Sequence, residues 1–89
     1  MGTKNNPAAF DCYSNAPPDE PMFILLARDP NAPNLVRQWA AEREMAIVLG
    51  KRPETDQAMV EEARHCAATM EVWRHENDGK WRQKPTEAT

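Results

Sequence analysis

Seven arginines define the most specific chemistry open to this chain. A guanidinium is a planar fork of donors that grips carboxylate or phosphate through two hydrogen bonds, so a sheltered arginine is where a small anion would be held. Arg43 has the most unusual setting. Projected at about 100° per residue, its segment places Leu35, Val36, Trp39, Ala40, Ala46, Ile47 and Leu49 on one broad apolar face with Arg43 in the middle. A guanidinium there snorkels, meets a carboxylate such as Glu42 or Glu62, or faces a cavity that accepts an anion. Arg28 and Arg37 flank a proline-rich turn, while Arg64 and Arg74 lie on the last helical stretch. Glu42, Glu44, Glu61 and Glu62 are close by in sequence, which suits exposed ion pairs of small energetic weight.

Other reactive side chains form no constellation. His65 and Cys66 are adjacent and diverge by about 100° on a helix, and His75 is a further ten residues along. No paired-histidine or paired-cysteine ligand spacing occurs, and the glycines, Gly2, Gly50 and Gly79, make no phosphate loop. The expectation is a protein that is not an enzyme and carries neither metal nor cofactor. Three tryptophans remain. Trp39 and Trp73 fall at core positions, whereas Trp81 sits between Lys80 and Arg82 beyond a helix stop, as interface anchors do.

The elements that must position these residues are legible from apolar spacing. Met59, Ala63, Cys66, Met70 and Trp73 recur at steps of four and three, the seam of a helix that needs a covering helix. Asp29-Pro30-Asn31-Ala32-Pro33 ends one element and starts the next, with Asn31 or Ala32 at the N-cap and Pro33 in the first turn. That predicts a helix over 33–49. Gly50 then takes a left-handed C′ position and Pro53 prevents continuation. Glu54 or Thr55 opens a helix over 55–77, stopped by Asp78-Gly79. So short a connection makes the two helices antiparallel neighbours. Upstream, Asp19, Glu20 and Pro21 open a helix over 19–29 whose Met22-Phe23-Ile24-Leu25-Leu26-Ala27 run points to every side, predicting burial nearly all round; a short buried strand is the alternative. Residues 1–18, rich in proline, read as an extended arm anchored at Phe10, Cys12 and Tyr13, with residues 1–6 frayed. Residues 80–89 form a basic tail.

The predicted architecture is therefore all-α: a short buried helix plus a long antiparallel hairpin in a domain over 19–79, preceded by the arm. A chain of 89 residues has room for one small core, and such domains are usually reinforced by disulfides, metals or self-association. Cys12 and Cys66 suit neither of the first two, so a homo-oligomer is expected, closed by the apolar surplus of residues 22–27. The net charge of −3 argues against duplex DNA as a partner. No apolar run approaches the roughly 18–20 residues of a membrane span, and Met1 to Asn6 hold no apolar signal core, so a cytoplasmic, reducing environment is expected.

The segments Phe10-Asp11-Cys12-Tyr13, Pro18-Asp19-Glu20-Pro21-Met22-Phe23, Ala27-Arg28-Asp29-Pro30 and Glu71-Val72-Trp73-Arg74 through Lys80-Trp81-Arg82 together resemble a group of small uncharacterised proteins carried by phages and prophages. The resemblance spans residues 10–82 and brings no assigned chemistry. It implies a context in which small proteins act stoichiometrically on a host protein factor, as takeover factors or inhibitors of host defence. Arg43, Arg28, Arg74, Trp81 and Arg82 are the residues expected to meet a partner or an anion. Two alternatives stand beside this reading: an oligomeric sponge for a nucleotide second messenger, and a minor virion component.

Overall fold

The computed structural model describes residues 1–11 and 15–78. Among them the regular structure is entirely helical: α1 over Ala32–Val48, a single 3₁₀ turn over Glu54–Asp56, and α2 over Gln57–Glu76. Asn31 is the N-cap of α1 and Pro33 lies in its first turn, where a missing N–H leaves no bond unmade. Just ahead, the Asp29 carboxylate accepts the Asn31 N–H at 2.9 Å and the Asp29 carbonyl accepts the Ala32 N–H at 3.0 Å, turning the chain into the helix.

The other end of α1 closes as its glycine requires. The Gly50 N–H donates to the Ile47 carbonyl at 3.0 Å and the Lys51 N–H to the Ala46 carbonyl at 2.8 Å, the paired bonds of a Schellman cap. Gly50 has φ +77°, a left-handed conformation disfavoured for any residue with a Cβ. The chain then reverses through Pro53. Arg37 meets Glu71 and Glu44 meets Arg64, so seven residues up α1 correspond to seven down α2, and the helices are antiparallel.

Small residues form the centre of this hairpin. Ala40, Val60 and Ala63 are fully buried, with Met1, Val36, Trp39 and Ile47 packed against them, and Ala32, Pro33 and Ala67 are buried as well. The buried line of α2 runs through Val60, Ala63 and Ala67, rotated by about 70° at 100° per residue from the expected seam of Met59, Ala63, Cys66, Met70 and Trp73. Alanine and valine allow two helices to approach closely, whereas a line of Met, Cys and Trp would hold them apart. Met59, Cys66 and Met70 consequently flank the contact, half-buried, and Trp73 is 37% exposed. Leu35 and Leu49, expected on the buried face of α1, are also exposed.

Residues 19–29 depart most from expectation. They form no helix, nor are they buried: Phe23 is 84% exposed, and Met22, Ile24 and Leu26 are each about half exposed. The stretch between Pro21 and Pro30 is shorter than the roughly 12–15 residues an isolated helix needs, so only packing could stabilise it. The alanine-lined hairpin contact is closed to it. The chain runs extended and then turns, the Asp29 N–H donating to the Leu26 carbonyl at 2.9 Å.

The arm is likewise anchored differently. Residues 1–6 form a closed turn, Thr3 and Asn6 exchanging backbone hydrogen bonds at 3.1 and 3.2 Å, while the Asp11 carboxylate accepts the Ala8 N–H at 2.9 Å. A Cβ on Gly2 would fall 2.3 Å from the Asn6 carbonyl oxygen, so this turn admits only glycine there. Met1 packs on the core and its amino group pairs with Glu62 and Asp11, whereas Phe10, the expected anchor, is 37% exposed. Cys12 and Tyr13 lie outside the described residues.

Candidate binding groove

Arg43, the first candidate, has found a carboxylate. Its Nη1 lies 3.2 Å from Asp56 Oδ2, the same oxygen that Arg52 Nε reaches at 2.8 Å, and its guanidinium stacks 4.9 Å from the centre of the Trp39 ring. Asp56 is buried at the N-cap of α2, where the helix dipole also favours negative charge. Arg52, against the attenuating effect of burial, and then Arg43 hold the Asp56 carboxyl below the usual carboxylate range. Asp56 thus occupies the place an anion would take. The partner is neither Glu42 nor Glu62. Glu62 instead meets the Met1 amino group, and Glu42 accepts from Gln38 at 3.4 Å. Arg43 lies seven residues before Gly50 and Asp56 six after it, so the hairpin geometry brings them opposite.

A second candidate region lies at the other end of the hairpin, about 27 Å along α2 from Asp56 to Arg74 at the usual helical rise. There the amino-terminal turn, residues 25–28 and one face of α2 enclose an open groove of about 510 Å³. Leu25, Leu26, Cys66, Met70 and Trp73 supply its apolar lining; Lys4, Arg28, His65 and Thr69 give it polar edges. The volume falls within the range typical of ligand pockets, and the lining has their predominantly apolar character. Arg74 Nη1 donates to the Arg28 carbonyl at 2.6 Å, tying the extended segment to α2 and forming one wall. Two of the expected site residues, Arg28 and Arg74, are therefore brought together, while Arg43 is remote from them. Trp81 and Arg82 lie outside the described residues.

Cys66 shows what this groove can do chemically. Burial, partly offset by the nearby amino terminus and reinforced by Asp11 and Glu62, pushes its thiol above the ordinary value. It stays protonated at neutral pH and behaves as a small apolar surface with a soft sulfur. Together with Met70 and Trp73 it suits apolar side chains more than anions. In the sequence the groove is hidden because the spacing of Cys66, Met70 and Trp73 points to the helix contact; the competing signal is the smaller line of Val60, Ala63 and Ala67, which packs closer.

Among the described residues no three His, Cys, Asp or Glu side chains are grouped to hold a metal ion, and no helix is long and apolar enough to cross a membrane. No family model matches the chain, and no curated protein or solved structure matches it either.

Proposed function

We propose that this chain is a non-enzymatic binding protein that takes an apolar segment of another protein into the groove between its amino-terminal turn and α2. The observation that carries this reading is the lining: Leu25, Cys66, Met70 and Trp73 converge on an open space of about 510 Å³ whose lining is predominantly apolar. A half-exposed tryptophan beside a methionine is the composition that anchors protein partners, because both bury a large area with little ordering cost for the ring. The phage context suggested by the sequence resemblance makes a bacterial host protein the partner class, bound stoichiometrically as a takeover factor or defence inhibitor.

The nucleotide-sponge alternative has less support, since Asp56 already holds both Arg43 and Arg52. The test places a photo-crosslinking amino acid at Thr69, on the groove edge, and identifies crosslinked proteins in bacterial lysate by mass spectrometry. One dominant host protein, lost when Met70→Glu puts a charge in the groove, is the expected result. Crosslinks spread over many proteins, or unaffected by Met70→Glu, would overturn the reading.

A further inference from the structure

The groove leaves unexplained an exposed apolar run that includes Phe23, the most exposed large apolar side chain among the described residues. Met22, Phe23, Ile24 and Leu26 stand in an extended run, and among the described residues no hydrogen bond engages the backbone of Met22, Phe23, Ile24 or Leu25. An extended segment with free N–H and C=O groups and large apolar side chains is an unpaired strand edge, which a second extended segment satisfies. The flanks indicate which one. Asp19 and Glu20 precede the run and Arg28 follows it, all three exposed. Antiparallel pairing of the segment with itself brings the acidic end of each copy against the Arg28 end of the other, twice about one two-fold axis. A parallel arrangement would set like charges together.

We infer that the chain self-associates as a two-fold dimer in which residues 21–26 of two copies pair as antiparallel strands. Pro21, which has no N–H to donate, fits the first position of such a strand. The area sets the strength. Four side chains at the observed exposures offer on the order of 450 Å² per copy, and the flanking charges and backbone bring the total toward about 1,200 Å², the lower limit of stable specific interfaces. An interface of this size makes a weak, concentration-dependent dimer.

The paired segment shares Leu25 and Leu26 with the groove lining but not Cys66, Met70 or Trp73, so a dimer unaffected by Met70→Glu separates this inference from the groove reading. Sedimentation equilibrium of the full chain from about 1 to 200 µM tests it, with Ile24→Pro, Arg28→Glu and the triple variant Asp19→Arg, Glu20→Arg, Arg28→Glu run alongside. The expected result is a reversible dimer whose Kd rises at least tenfold in Ile24→Pro, rises in Arg28→Glu and returns toward the parent value in the triple variant. Unchanged helical circular dichroism in Ile24→Pro establishes that the hairpin is intact, because Ile24 lies outside it. A chain that is monomeric throughout this range overturns the inference. So does a dimer indifferent to Ile24→Pro, or one that the charge exchange fails to restore.

Discussion

The hairpin of residues 32–76 and the thirty-one residues before it solve the same problem in opposite ways. In the hairpin, alanines and one valine close a thin contact, and polar side chains cross it along its edges: Arg37 to Glu71, Glu44 to Arg64 and Gln57, Arg43 to Asp56. Beside Val36, Trp39 and Ile47, which pack on that contact, several large apolar residues are left outside it, Met45 being 57% and Val48 74% exposed. In the amino-terminal region Met1 alone reaches the core; the rest of the order comes from local hydrogen bonds, through Asp11, Asp29 and the Thr3–Asn6 turn, while Met22, Phe23, Ile24 and Leu26 remain outside. The difference teaches that apolar content and burial are separate quantities. Helices in so close a contact leave no room for Phe23 or Ile24, so those residues stay exposed.

That contrast can be broken most severely at the hairpin contact. Ala63→Leu inserts a branched side chain where no space exists and should lower stability by about 1–3 kcal/mol, seen as a thermal midpoint about 4–8 °C lower per kcal/mol by circular dichroism. A midpoint unchanged by Ala63→Leu would show that the helices are not held by this line. Gly50→Ala comes next. The space around Gly50 is open, so only the left-handed backbone resists the new methyl group, at about 1–2 kcal/mol in the same melt.

Acid should separate the regions more gently. Asp56, Glu44 and Glu71 are all held below their ordinary range, by Arg52, Arg64 and Arg37 respectively. A carboxyl whose pKa is lower folded than unfolded contributes its stability above the unfolded value, near 4, and loses it as pH falls through the folded one. The thermal midpoint of the hairpin should therefore be flat from about pH 7 to 5 and fall below about pH 4. Asp56→Asn should shallow that fall, and an unaltered pH profile would remove Asp56 from the account. Least of all should change with Phe23→Ser. At 84% exposure its loss should alter the stability of the monomer by no more than about 0.5 kcal/mol. A loss as large as that of Ala63→Leu would mean that the segment is packed within the chain, and the contrast between the two regions would fail.

Much of the hairpin was legible because its signals act over short range. Asn31, Pro33 and Gly50 place the ends of α1 within one residue of the observed bounds, whereas α2 starts at Gln57, two residues after the expected position, because a 3₁₀ turn precedes it. Pairing of Arg43 with a carboxylate was legible as one of three outcomes, beside snorkelling and a cavity that accepts an anion, since an unpaired guanidinium on an apolar face is costly. Its partner was not, because Asp56 becomes a neighbour only when the chain reverses at Gly50. The groove was less legible still. It required knowing that Trp73, Met70 and Cys66 would flank the helix contact, and that the Arg28 carbonyl would be held by Arg74.

By itself the amino-acid sequence determined an all-helical chain with two long antiparallel helices, their ends and their short connection, because caps, prolines and a left-handed glycine act on the backbone a few residues away. Only the tertiary structure decided which side of α2 meets α1, and that residues 19–29 would be extended rather than helical. Both outcomes follow from side-chain size at a contact between distant segments. The smallest line, Val60, Ala63 and Ala67, permits the closest approach, and once that contact is closed the apolar run from Met22 to Leu26 has no interior left to enter.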